Sequence, residues 1–308
     1  MESNMTETQT PSQRSLLSII FLSPDEPRLR AGWRLLIQTV LFITLMLLFS
    51  IPVGIITFII HGDIFGTAYF IANMIVELFG VTLSVYLIRR FLDKRPFTSL
   101  GFKLDKYVLY DIMAGIGITF IMMGAIFAAM WALGWLKFES FAWDTEPLPR
   151  VVFQTLAFLF IFILVGWNEE LLSRGYHLQT IASGVNLFWG VVISSAVFGL
   201  LHLGNPNATW VSAAGIFFAG LFLAYGYVRT KQLWLSIGLH IGWNFFEGVG
   251  FGFPVSGLDI YPLTRITVSG PEIWTGGAFG PEAGLIVLPA LALGAALIYL
   301  YSRSRLVS

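Results

Sequence analysis

Cysteine is absent from the 308 residues, which removes disulfides, thiolate nucleophiles and sulfur-based metal sites together. Charge is scarce as well: Asp, Glu, Lys and Arg make up 12% of the chain, about half the roughly 25% of a soluble domain. Eighteen acidic residues cancel eighteen basic ones, so net charge gives no case for a nucleic-acid partner. What fills the chain instead is apolar bulk, 56% hydrophobic residues with 28 phenylalanines and 10 tryptophans. That composition needs lipid as its solvent and reads as an all-α integral membrane protein.

Runs long enough to cross a ~30 Å hydrocarbon core fall near 33–60, 68–88, 107–135, 150–181, 186–204, 210–228, 233–251 and 283–301. About eight transmembrane helices are therefore expected, spanning a membrane domain of 33–303. Pro52 with Gly54 marks a place where the first could kink or end early. Residues 1–32 read as a polar tail, whose apolar stretch Leu16 to Leu22 is too short and too poorly flanked for a signal peptide. The tail is expected to be disordered, with a short interfacial segment. The Gly- and Pro-rich stretch 252–282 reads as a long outer loop. Lys and Arg concentrate in the tail, between spans two and three, around 229–231 and near the carboxyl end. By the positive-inside rule both termini face the cytoplasm.

An ionisable side chain at membrane depth is expensive unless it is paired or faces a wet cavity, so each one raises a functional hypothesis. Here they cluster in three segments: Trp167 to Tyr176, containing Glu169, Glu170 and Arg174; Phe198 to His202; and His240 to Asn244. On a helix Glu170 and Arg174 share a face and can neutralise each other, whereas Glu169 points about 100° away and is left to face a cavity. Helical rise places Glu169, His202, His240 and Asn244 at overlapping depth, nearer the cytoplasmic side, provided the fourth span runs on to about Ile181.

A carboxylate and a histidine can polarise water, while a second histidine and an asparagine amide can donate to an oxyanion. The set therefore suits hydrolysis of a peptide or amide without a covalent intermediate. The same residues admit a zinc reading, with Glu169, His202 and His240 as ligands. Against zinc stand the missing H-E-x-x-H spacing and the lack of a separate base, so no cofactor is the favoured expectation. A non-catalytic transporter or immunity-type scaffold is the rival class, since transporters also place acids and histidines at mid-membrane.

The order E-E-x-x-x-R, F-x-x-x-H, H-x-x-x-N, carried by Glu169, Glu170 and Arg174, by Phe198 and His202, and by His240 and Asn244, resembles the CPBP family of intramembrane endopeptidases. That family includes the CAAX prenyl proteases and the Abi or bacteriocin-processing proteins. The motifs cover about 165–250, and Arg95-Pro96-Phe97 with Leu100-Gly101-Phe102 extends the likeness to a core of about 95–250. The resemblance implies that Glu169 activates water with His202, that His240 and Asn244 stabilise the oxyanion, and that Glu170 and Arg174 support them. It implies a membrane-associated or lipidated protein or peptide as substrate. It also implies a multi-pass protein of a prokaryotic plasma membrane, for which prenylated CAAX substrates are not to be assumed.

Overall fold

A computed structural model describes residues 15–62 and 67–307. Residues 1–14 of the expected tail lie outside this range. The remainder of the tail is ordered rather than loose: Leu16–Phe21 forms a short helix, α1, and Leu22 bridges to Leu29. Its anchor is electrostatic. Asp93, fully buried, receives Arg34 at 2.5 Å, Arg89 at 3.2 Å and Arg28 at 3.7 Å, and Arg34 also donates to Ser183 Oγ at 2.8 Å. Counting charges on the tail alone hides this, because the carboxylate that orders it lies about sixty positions away.

The eight expected spans appear as helices. They are α2 (Ala31–His61), α3 (Thr67–Phe91), α4 (Tyr107–Ala132), α5 (Leu148–Glu170) continued to Gly184, α7 (Leu187–Leu201), α8 (Trp210–Thr230), α9 (Trp234–Asn244) and α11 (Val287–Val307). Among the described residues six are long and apolar enough to cross a bilayer by themselves, and the last is a shorter apolar helix. The protein is a multi-pass membrane protein. Lipid-facing surfaces follow from the apolar side chains left outside the bundle, such as Leu47, Leu48, Ile55 and Ile59 on α2. Helix α2 runs unbroken through Pro52, so of the two alternatives there, a kink or an early end, the early end does not occur.

Three features depart from the simple span list. The fourth helix passes from α5 through a π-helical stretch, Leu171–His177, into α6 (Leu178–Gly184), reaching beyond Ile181. Helix α9 likewise opens into a π-helical turn, Phe245–Gly250. Outside the spans, β1 (Leu136–Phe141) pairs antiparallel with β2 (Thr264–Val268), and α10 (Glu272–Thr275) follows. The connection read as an outer loop is therefore folded.

Helices α4 and α9 form the tightest seam. A Cβ built on Gly238 would lie 2.7 Å from Ile112 Cα, and one on Gly242 would lie 2.8 Å from Ile116 Cα. Glycines four apart on one face let two backbones approach where no side chain fits, the small-xxx-small arrangement of membrane helices. Since residues two further along a helix point the other way, this seam directs His240 and Asn244 to the opposite face.

The chain's basic connections meet at one end of the bundle. Leu233 N–H donates to Gly101 O at 2.9 Å, Gln179 donates to Leu100 O at 2.8 Å, and Trp234 Nε1 donates to Lys103 O at 3.0 Å. Arg229 donates to Ser302 Oγ at 2.9 Å at the same end. Asp105 sits there too; it accepts from the Tyr107 N–H at 2.8 Å, which starts α4 and holds its carboxyl below the usual range. Arg150 and Arg265 gather instead around Glu146, beside the β ribbon.

Candidate active site

The four residues expected to converge line one cavity of about 370 Å³ inside the bundle, with Glu169, His202, His240 and Asn244 all on its wall. Glu169 comes from the last turn of α5, His202 from the turn that ends α7, and His240 and Asn244 from α9. The continuation of the fourth helix to Gly184 is what holds Glu169 about 22 Å inside that end at 1.5 Å per residue.

Glu169 Oε2 is the focus of the arrangement. It is buried, has no hydrogen-bond partner among the described residues, and lies 3.9 Å from His202 Nε2 and 3.7 Å from His240 Nε2. Both distances exceed a direct hydrogen bond but allow one water to touch two of the groups. Each imidazole is fixed from behind. His202 Nδ1 meets the Phe198 carbonyl at 2.8 Å, and His240 Nδ1 meets Glu170 Oε1 at 2.8 Å. Carbonyl and carboxylate oxygens can only accept, so each ring donates from Nδ1 and turns Nε2 to Glu169.

Glu170 is more than a counter-ion. The same Oε1 accepts Arg174 Nη1 at 2.7 Å, so one carboxylate oxygen joins Arg174 to His240. Arg174, 1% exposed, also donates to Gly220 O at 3.1 Å and stacks 4.3 Å over the Phe198 ring. Phe198 is 4.7 Å from the His202 ring, centroid to centroid. The phenylalanine of the second motif thus packs between the arginine of the first and its own histidine.

Among the described residues, two acidic side chains on the wall stand outside the three motifs. Glu282 arrives from the segment read as an outer loop. Its carboxylate accepts from Trp243 Nε1 at 2.8 Å and from the Ser256 N–H and Oγ at 2.8 and 2.7 Å. Asn205 donates to Ser256 O at 3.0 Å, closing the loop against the turn that carries His202. The Gly and Pro content of 252–282 concealed this inward fold, and only an acid beside the start of the last span hinted at it. Glu77 of α3 lines the cavity directly. Glu247 lies behind the wall, fully buried, 3.6 Å from where a Cβ on Gly280 would stand.

The donor set for zinc would be Glu169 Oε2, His202 Nε2 and His240 Nε2. The two imidazole nitrogens lie 3.9 and 3.7 Å from the carboxylate oxygen, and among the described residues no group of three or more His, Asp or Glu side chains is drawn together as a metal site.

Comparison with known proteins agrees with the motif reading. Residues 151–246, the stretch holding all the motif residues, match the model of the Rce1-like family, the type II CAAX prenyl endopeptidases. YyaK of Bacillus subtilis (strain 168) is 26% identical over 177 residues, 56% of this chain and 58% of that protein. YdiL of the same organism, whose name proposes a membrane peptidase, is 32% identical over 104 residues, 33% of this chain and 41% of that protein. The chain thus spans less than two thirds of either relative.

Proposed function

We propose that this chain, Rce1-like across residues 151–246, is a membrane-embedded peptidase that hydrolyses a membrane-associated peptide by water activated between Glu169 and His202. One observation supports this above the rest: a buried, unpartnered Glu169 Oε2 facing two imidazole nitrogens whose other nitrogens are already committed.

In this reading Glu169 takes a proton from water as the oxygen attacks the peptide carbonyl, and returns it to the departing amine nitrogen. His202, donating Nδ1–H to Phe198 O, offers Nε2 as the second acceptor that orients the water. His240 and Asn244 serve the oxyanion. With Nδ1–H held by Glu170, His240 donates from Nε2 only when both nitrogens carry protons. In that state Glu169, Glu170, Arg174 and His240 sum to zero charge. Both termini are assigned to the cytoplasm, supported by the gathering of the basic connections at the end where the tail is bound.

The test is cleavage of a membrane-anchored reporter by the full chain in proteoliposomes. Glu169→Gln and His202→Ala should each lower kcat by roughly 10²–10⁴-fold, the usual worth of general acid–base catalysis, and Asn244→Ala by about 10²–10³-fold. Activity should survive exhaustive chelation; loss on chelation with recovery on added zinc would establish the metal reading instead. Equal turnover by wild type and all three variants would overturn the proposal.

A further inference from the structure

Among the described residues, the cavity wall carries three carboxylates, Glu77, Glu169 and Glu282, and no lysine or arginine. Two of the three have work within the fold or the reaction. Glu282 is spent on Trp243 and Ser256, and Glu169 faces the histidines. Glu77 is different. It sits near the middle of α3, has no hydrogen-bond or ion-pair partner among the described residues, and the neighbouring charge that bears on it is Glu169.

A carboxylate at this depth without a partner is costly, and a second one across the same cavity adds repulsion. A cation placed between them relieves both. Among the described residues no lysine or arginine on the cavity wall supplies one, since the nearby Arg174 is buried behind Glu170, and a protonated His240 is already balanced, with Arg174, by Glu169 and Glu170. Phe70, Met74 and Glu77 recur at helical spacing along one face of α3, and all three line the cavity. That face offers an apolar track ending in a carboxylate, the complement of a lysine or arginine side chain, which buries its methylenes and pairs its head. A free peptide carboxylate would instead add a further acidic group to a wall that already carries three.

We propose that Glu77 selects the substrate, by pairing with a cationic group, a lysine or arginine side chain or a free amine, on the membrane-associated peptide beside the bond to be cut. This rests on the peptidase reading above and narrows its substrate class: peptides with a positive charge near the cut are favoured, and peptides whose free carboxyl terminus would lie in the cavity are disfavoured.

The experiment uses acylated, fluorescent, carboxyl-amidated peptides in which a single lysine steps through successive positions, each prepared also with that lysine acetylated. Binding to the full chain carrying Glu169→Gln is followed by anisotropy in detergent micelles, with and without Glu77→Gln. At one register acetylation should weaken binding about tenfold when Glu77 is present and less than about twofold when it is replaced, with each tenfold step equal to ~1.4 kcal/mol. Acetylation is made on the peptide, so its effect does not depend on any change to the protein. Acetylation that costs nothing at every position, or costs the same in both proteins, overturns the proposal. Cleavage of the same peptides by wild type, read by mass spectrometry, separates the two claims. Charge-independent binding with cleavage leaves the peptidase standing without Glu77's role, whereas charge-dependent binding with no cleavage leaves the cation site and removes the peptidase.

Discussion

At Glu170 a single carboxylate oxygen accepts from Arg174 and from His240, so the motif's second glutamate governs the orientation of a histidine seventy residues away. Replacing Arg174 with methionine leaves Glu170 buried with one partner fewer. Removing one member of a buried ion pair costs about 3–5 kcal/mol, and thermal unfolding in detergent should register a loss of that order. Glu170→Gln keeps the shape but weakens the hold on His240. Turnover should fall roughly 10–100-fold, the usual effect of losing such an orienting partner, while binding of an uncleaved peptide analogue stays within about threefold. A matching loss of binding would mean that Glu170 shapes the cavity rather than the histidine. Much at this scale was legible in the sequence, because ionisable residues inside apolar spans are conspicuous: Glu169, His202, His240 and Asn244 stand on one cavity, as their shared depth implied. The Glu170–His240 contact was not, since helical spacing reports neighbours on one helix only. Glu282 was hidden for another reason, a surrounding stretch with the composition of a loop.

The positions of these side chains depend on how closely α4 and α9 approach. Gly238→Ala puts a methyl 2.7 Å from Ile112 Cα, where only backbone could move aside. Overpacking of this kind costs about 1–3 kcal/mol, and the displaced α9 carries His240 and Asn244 with it. Both thermal stability and turnover should drop. Gly117→Ala on α4, where an added Cβ meets nothing within 4 Å, should leave turnover at wild-type level and stability unchanged or higher, because alanine favours the helix. If both substitutions behaved alike, the seam would not be what sets the site. The spans themselves were readable from hydropathy, and each expected run has its helix. The π-helical stretches and the β ribbon were not: a shifted backbone hydrogen bond has no compositional mark, and β1 finds its partner more than a hundred residues later.

Away from the cavity and the side chains packed behind it, charge is sorted to the ends of the molecule and held there by few contacts. Asp93 binds α1 and the following turn to α2, α3 and α6 through Arg28, Arg34 and Arg89, with Ser183 as a further partner of Arg34. Asp93→Asn leaves three guanidinium groups without that carboxylate, so limited trypsin digestion should cut after Arg28, which is buried in the intact protein. Unchanged protection there would show that packing, not charge, secures the segment. The clustering of basic connections was foreseeable from the positive-inside pattern, whereas the ordering of residues 15–30 required knowing that Asp93 lies beneath them. The proposed function turns on one pair in this architecture, Glu169 and His202, whose Oε2 and Nε2 lie 3.9 Å apart. The most direct measurement of that pair is single-turnover cleavage of a membrane-anchored reporter by Glu169→Gln, His202→Ala and the double variant. If the two residues activate one water together, each single change should abolish most of the rate and the double should be no slower than the worse single within about threefold, as groups acting as a unit are not additive. A single variant that cuts at the wild-type rate, or two losses that multiply, would contradict the account.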